Sequence, residues 1–332
     1  MPDAERIVEE ELEKEIDDKD IEEYLSMTLK SQEEKRLRAL LSRNLGKVEN
    51  PEKALVLTSI LFEIDQIKTD KVWGTDKFER ILLAGLNGEK VNLITMLCLI
   101  NQFDYKGGYT AVVDLDEYLK NPKLEPIPLI VDELVLVIKF LRFYGINTSL
   151  TIYIADTDYI EIGQYGPVNE SNVQNIRKYI ENLKQYLRNV PKTDITPISE
   201  VTTSNLQYQE VKARVLKNTR NFKDPDFERE WYKKFEDALE KVSESQSKKR
   251  LFPPNDLRKK SLEITRNIWA CNAGQGAIFA ALGQNTILIS TERRERDTNY
   301  VIDKEVRKSF PPVLYILKAA EMWNRKLTGK VD

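Results

Sequence analysis

The stretch Ser149–Gly163, SLTIYIADTDYIEIG, decides the fold of this chain. Apolar and more polar side chains alternate over residues 150–154, which is the period of a β-strand. The run then ends in an acidic tip, Asp156-Thr157-Asp158. Open α/β sheets bind ligands at the carboxyl ends of their strands, so the stretch predicts a strand that ends at a ligand-binding edge.

Two other segments predict strands of the same sheet. Residues 91–101 (VNLITMLCLIN) are continuously apolar, as buried parallel strands are, and residues 285–290 (NTILIS) form a shorter run. Between the first two strands, residues 130–145 are apolar nearly all round and predict a buried helix closed by Gly145. The order strand, loop, helix, strand favours parallel neighbours. We therefore expect an α/β fold, a Rossmann-like, mostly parallel sheet with a helical N-terminal region and a helical insertion.

Changes in composition divide the chain into four parts. We expect a helical N-terminal region (1–70), a Rossmann-like α/β core (71–203), a charged helical insertion (204–265) and a C-terminal α/β part that completes the core (266–332). Three local expectations concern the second half. Residues 243–250 resemble an exposed turn, residues 300–303 (YVID) a return strand, and residues 313–326, which follow two prolines, a closing helix.

The composition excludes several kinds of chemistry. The chain has no histidine, so this chain cannot supply a Ser-His-Asp triad, a His-ligated zinc ion or a histidine base. Its two cysteines lie in separate segments and do not indicate a disulfide framework. The formal net charge of −3 argues against nucleic acid and anionic membranes as partners. Many Lys and Glu residues with few Cys and Met are typical of proteins from hot environments.

The N-terminal segment is acidic where a signal peptide is basic and then apolar, and no apolar run approaches the roughly 18 residues of a membrane span. We therefore expect a soluble cytoplasmic protein.

Polar side chains follow each of the three predicted strands. If the strands are neighbours, their ends meet at one edge and bring carboxylates, an amine and guanidinium groups together. Catalytic candidates are Lys106, Asp156 and Asp158. Candidates for substrate binding are Asp104, Tyr109, Arg293, Arg294 and Arg296.

Each of these candidate groups has a possible chemical role and a purely structural alternative. Guanidinium groups bind phosphate or carboxylate with two hydrogen bonds, and a lysine that is partly removed from water can act as a base or form an imine. Asp156 and Asp158 suit a hard cation such as Mg²⁺ or Mn²⁺, although the cofactor stays open. Equally, an Asp-x-Asp turn is common after strands, and the arginines can pair with neighbouring acids on a hairpin tip.

Residues 91–188 resemble the core of the isonitrile (isocyanide) synthases, which build an isonitrile on an amino acid. The resemblance consists of a strand running into a loop with a lysine (LCLINQFDYK), a helix with acidic residues at its start (VDEL), a strand with an acidic tip (TIYIADTDY) and a helix of the form VQNIRKYIENL. The late strand NTILISTERRER would correspond to an Arg-bearing strand. The resemblance implies a Rossmann-like fold and chemistry on an amino acid and a sugar phosphate, with Lys106 and the arginines near the substrates.

Four functions remain open. The first is a small-molecule transferase or synthase that binds a phosphate- or carboxylate-bearing substrate. The second is a nucleotide-sugar-type transferase that uses Asp156 and Asp158 on a divalent metal. The third is a non-catalytic binding or assembly protein that uses its helical regions. A nucleic-acid-binding protein is the least favoured, unless residues 204–265 present a one-sided patch of Lys and Arg.

Overall fold

The structure describes part of the chain. The computed structural model describes residues 75–98, 137–157, 193–221, 229–250, 252–290 and 298–315, with single positions or short pieces at 49–58, 134, 161 and 170–184. Most of the predicted N-terminal helical region lies outside these residues, and the division into four parts stays a prediction.

A five-stranded parallel sheet organises these segments. Its strands are β1 (Val91–Cys98), β2 (Thr148–Ala155), β3 (Thr193–Pro197), β4 (Thr286–Ser290) and β5 (Val313–Tyr315). Their order is β3-β2-β1-β4-β5, and each neighbouring pair is parallel. The α/β fold with a parallel sheet is thus confirmed, as are the three predicted strands at its centre.

The register places the strand ends together. Cys98 at the end of β1 pairs with Ala155 at the end of β2, and Ile154 pairs with Pro197 at the end of β3. Ile289 of β4 pairs with Thr95 of β1. The carboxyl ends of β1, β2, β3 and β4 therefore meet at one edge of the sheet, which is the condition for the predicted convergence of polar groups.

Three segments differ from the sequence predictions: residues 313–315, 298–301 and 243–250. Residues 313–315 form β5 where we expected the start of a closing helix, and the 3-10 helix Thr298–Val301 occupies part of the expected return strand. The expected turn at 243–250 is wrong too, because a helix continues to Lys249 and buries Ser245 and Gln246. These two polar side chains lie on the buried face of the helix, so the polar composition of the segment wrongly indicated an exposed turn.

Six helices in the described part of the chain have both of their ends defined. They are α1 (Thr75–Leu86), α2 (Ile198–Thr202), α3 (Leu206–Asn221), α4 (Arg229–Lys249), α5 (Pro254–Ala281) and α6 (Lys304–Ser309). Residues 137–143 are helical as well, and Gly145 follows them with a φ of 86°. That left-handed conformation favours glycine and ends the helix as predicted.

The helix α5 forms the core on one face of the sheet. It is buried without a break from Ile268 to Phe279, and the rings of Tyr153 on β2 and Phe279 on α5 are 5.7 Å apart. Both α3 and α4 pack along α5, where Phe235 and Trp269 make an edge-to-face contact at 5.2 Å. A helix that is apolar on most of its sides is suited to such a central position.

Candidate functional site

Asp156 is the predicted site residue that the structure describes. It follows β2 directly and is 1% exposed. Its Oδ1 accepts a hydrogen bond of 2.9 Å from the backbone N–H of Ser199, and its Oδ2 accepts one from the hydroxyl of the same serine. Because Ser199 is the second residue of α2, just after β3, Asp156 links the carboxyl ends of two neighbouring strands. Its predicted catalytic role stays a prediction.

The environment of Asp156 favours its protonated form. Burial raises the pKa of this carboxyl group, the hydrogen bonds from Ser199 oppose the rise, and the negative charge of Glu161 adds to it. The net pKa lies above the ordinary value for an aspartate. A carboxyl group of this kind is a candidate for holding a proton at the edge of the sheet.

The other predicted site residues lie outside the described part of the chain. They are Asp104, Lys106, Tyr109, Asp158, Arg293, Arg294 and Arg296. Their convergence is therefore still a prediction, although the strands that precede them are neighbours in the sheet.

A second polar cluster lies next to Asp156, centred on Glu161. Three side chains contact Oε2 of this carboxylate: the Tyr208 hydroxyl at 3.2 Å, the Lys212 ammonium at 2.6 Å and the Cys271 thiol at 3.9 Å. Tyr208 and Lys212 stand one turn apart on α3, and Cys271 lies on α5. Two helices therefore deliver donors to a single carboxylate oxygen just beyond the end of β2.

Tyr208 and Cys271 are the buried members of this cluster. Tyr208 is 0% exposed and Cys271 is 1% exposed. By contrast, the side chains of Lys212 and Glu161 are 21% and 29% exposed. The charged pair is thus open to small molecules, whereas its neighbours are closed to water.

The electrostatics of the cluster favour a charged lysine and a neutral tyrosine. Burial alone would lower the pKa of Lys212, but its interactions with Cys271 and Glu161 outweigh that effect, and the net pKa is raised. Burial, together with the same two neighbours, raises the pKa of Tyr208 far above the usual range of a phenol. Tyr208 therefore serves as a hydrogen-bond donor and not as a base.

A buried hydrogen bond supports the segment between Asp156 and Glu161. The Nε2 of Gln275 donates to the hydroxyl of Thr157 at 2.9 Å, and both residues are at most 2% exposed. Gln275 lies one helical turn after Cys271 on α5. The same face of α5 thus contacts both ends of this segment, which favours a fixed position for Glu161.

The described residues contain no group of three or more Cys, Asp and Glu side chains placed to bind a metal ion. Of the predicted metal ligands, Asp156 is committed to Ser199, and Asp158 lies outside the described residues. A divalent cation therefore remains a hypothesis that depends on Asp158. Within the same described part, no helix is long and apolar enough to cross a membrane.

Comparisons with known proteins show likenesses to solved structures alone. No protein-family model matches it, and no curated protein sequence matches it. Among solved structures, the PvcA protein from Pseudomonas aeruginosa matches with a TM-score of 0.47 and 10% identity, covering 76% of this chain and 82% of that one. AlbC, a cyclodipeptide synthase from Streptomyces noursei, matches with a TM-score of 0.35 and 12% identity, covering 71% and 99%. At TM-scores below 0.5, neither likeness carries an argument about this chain.

Proposed function

We propose that the chain is a transferase or synthase that binds a small substrate with an anionic group at the carboxyl edge of its sheet, next to β2. The observation that carries the proposal is the partly exposed ion pair of Glu161 and Lys212, which lies above the buried side chains of Tyr208 and Cys271. Such a pair at the end of a parallel strand supports a ligand site, because open α/β sheets bind ligands at this edge.

The charge of Lys212 is the reason to propose a substrate with an anionic group. Its raised pKa keeps the ammonium group charged at neutral pH, and its exposed fraction leaves Nζ within reach of a ligand. A carboxylate or a phosphate oxygen is the natural partner of such a cation. The buried neighbours limit water around the pair, which strengthens the interaction relative to one on an open surface.

Glu161 supports a second recognition element in the same substrate. The donors from Tyr208, Lys212 and Cys271 all reach Oε2, and no residue in the described part of the chain donates to Oε1. That oxygen is therefore available to an N–H group of a ligand. A substrate with an amine beside a carboxylate, such as an amino acid, would fit Glu161 and Lys212 together.

The same atoms can orient a substrate amine. Glu161 Oε1 can accept a hydrogen bond from a substrate ammonium group. Lys212 and the Tyr208 hydroxyl hold the Glu161 carboxylate in position for that contact. The predicted residues Lys106, Asp158, Arg293, Arg294 and Arg296 belong to this proposal as further groups at the same edge.

The experiment is a thermal-shift screen against amino acids, sugar phosphates and nucleotides, with and without Mg²⁺ or Mn²⁺. A ligand present at about 100 times its Kd stabilises the native state by about 2.7 kcal/mol, which raises the melting temperature measurably. The effect should disappear in Lys212→Met and in Glu161→Gln. The matched controls are Lys248→Met and Glu244→Gln, because that pair has the same 2.6 Å separation on an exposed helix face.

The outcomes separate the rival functions. Stabilisation that requires a divalent metal and disappears in Asp158→Asn would support the nucleotide-sugar-type transferase instead. Stabilisation that survives both Lys212→Met and Glu161→Gln would place the site elsewhere. Silence across the whole panel from a well-folded protein would contradict the proposed enzyme and favour a binding or assembly protein.

A further inference from the structure

The turn between α4 and α5 concentrates positive charge. Residues 247–260 contain six basic side chains and one acidic side chain, a formal charge of +5. The whole chain carries −3, so the rest of the chain sums to −8, the difference between these two values. Because α4 and α5 pack against each other, the basic residues at the end of α4 and near the start of α5 lie at the same end of a helical hairpin.

Local ion pairs leave much of this charge uncompensated. Lys248 pairs with Glu244 at 2.6 Å, and Lys260 pairs with Glu263 at 3.2 Å. Three further cations are exposed and make no ion pair with any residue in the described part of the chain. They are Arg250, Arg258 and Lys259.

Arg250 occupies a position that favours glycine. It directly follows α4 with a φ of 52°, and its N–H donates to the carbonyl oxygen of Ser247 at 3.1 Å. A left-handed conformation costs a residue with a Cβ about 1 kcal/mol relative to glycine. Folding does not require an arginine here, so its guanidinium group is free to serve a surface role.

The helix dipoles explain only half of the patch. Cations at the end of α4 are favoured by the partial negative charge of a helix C-terminus. Arg258 and Lys259, however, lie in the second turn of α5, near the positive end of its dipole, where cations gain nothing. These two residues therefore point to an external anion.

The positive surface extends along α5. Lys259 and Arg266 are seven residues apart and share a face of the helix, about 10 Å apart along its axis. Arg266 is partly buried and donates hydrogen bonds to the Thr219 hydroxyl and to the Leu216 carbonyl oxygen on α3. Burial and, to a smaller extent, the positive charge of Arg220 lower its pKa. An extended row of cations fits a polymer of phosphates better than a single small anion.

From this arrangement we propose that the α4–α5 hairpin is a nucleic-acid-binding surface that contacts the phosphate backbone through Arg250, Arg258 and Lys259. An anionic membrane is less suited, because membrane-surface helices insert large apolar side chains. The described large hydrophobic residues that are exposed are Phe143, Leu206, Tyr232 and Leu282, and none lies on this turn. Phe252, within the turn, packs against the core instead.

The surface is separate from the proposed small-molecule site. Arg258 and Cys271 are 13 residues apart on α5, which corresponds to about 20 Å along the helix. The two proposals can therefore fail independently, and variants of one surface should leave ligand binding at the other unchanged.

The test is fluorescence anisotropy with a labelled single-stranded oligonucleotide of about 20 nucleotides, titrated at several salt concentrations. The triple variant Arg250→Gly, Arg258→Gln, Lys259→Gln removes three contacts. It should lower the salt slope by about 2 and weaken binding about 100-fold near 0.1 M salt. Glycine at position 250 should also stabilise the fold, so loss of binding cannot be attributed to unfolding.

The control variant removes three exposed lysines elsewhere: Lys90→Gln, Lys233→Gln, Lys241→Gln. It should reduce binding far less, although the net charge changes equally. An equal loss in both variants would overturn the proposal, as would undetectable binding of the oligonucleotide by the full chain. Tighter binding to phosphatidylserine vesicles, or equal binding to a polyglutamate peptide of similar length, would also overturn it.

Discussion

Gly274 on α5 lies against the ring of Tyr208 on α3. A Cβ at position 274 would stand 2.6 Å from Cδ2 and 2.8 Å from Cε2 of that ring, closer than any real side-chain contact. Tyr208 is fully buried and has no room to move away. The glycine therefore sets the distance at which the two helices approach and the depth at which Tyr208 reaches Glu161.

Gly274→Ala should destabilise the protein. Overpacking typically costs about 1–3 kcal/mol, and the better helix propensity of alanine returns about 1 kcal/mol, so we expect a net loss of up to about 2 kcal/mol. Urea denaturation measures it. In a Tyr208→Ala background the two ring contacts are gone and the backbone carbonyl oxygen of residue 208, at 3.0 Å, remains, so the same substitution should cost much less. An equal cost in both backgrounds would show that the clash with Tyr208 is not the cause.

Lys212→Met should lower stability more than Lys248→Met. Both lysines make 2.6 Å ion pairs, but the Lys212 pair is 21% and 29% exposed, and the Lys248 pair is 49% and 59% exposed. We expect a loss of about 1–2 kcal/mol in the free energy of unfolding for Lys212, and within about 0.5 kcal/mol for Lys248. A double-mutant cycle with Glu161→Gln measures the coupling. Equal effects of the two substitutions would contradict the prediction that the less exposed Glu161–Lys212 pair contributes more to stability.

The sequence predicts the centre of the sheet and misses its edges. β1, β2 and β4 are central and buried, so their apolar runs are long and unmistakable. β3 (TDITP) and β5 (VLY) are the two edge strands, with five and three residues. β3 is polar and ends in proline, and β5 follows two prolines that favour a helix start, so neither has a strand pattern of its own.

The candidate site is harder to predict, because its residues are distant in the chain. Glu161 precedes Tyr208 by 47 residues and Cys271 by 110 residues. No motif spacing joins them, and only the i, i+4 pairs Tyr208–Lys212 and Cys271–Gln275 give a local signal. The cluster exists because α3 and α5 pack side by side above the end of β2, which is a property of the tertiary fold.

Tyr208 should remain a neutral phenol in the folded protein at alkaline pH. Burial and the interactions with Cys271 and Glu161 raise its pKa, so the stability it contributes is present below about pH 10, the value for an unfolded tyrosine, and is lost as the pH rises further. In a titration followed by tyrosinate absorbance, Tyr208→Phe should leave the signal of the folded protein unchanged. Tyr232→Phe, which removes an exposed phenol, is the control. A lost signal in the folded Tyr208→Phe variant would refute the prediction.

Asp156→Asn should remove a component of the pH dependence of folding. Because the pKa of Asp156 is raised in the folded state, the native protein binds this proton more tightly than the unfolded chain. Stability from this group is therefore greatest at low pH. It falls as the pH rises from about 3.9, the ordinary aspartate value, to the higher pKa of the folded protein.

Urea denaturation of both proteins across that pH range tests the prediction. The asparagine amide keeps the acceptor for the Ser199 N–H and cannot ionise, so the stability of the variant relative to the wild type should rise as the pH increases. Ser199→Ala is a useful comparison, because it removes the hydroxyl donor that lowers the pKa of Asp156, and it should extend the effect to higher pH. A difference between the wild type and Asp156→Asn that stays constant across the range would show that Asp156 does not titrate there. A difference that shrinks as the pH rises would reverse the sign and show that the folded state lowers the pKa of this carboxyl group.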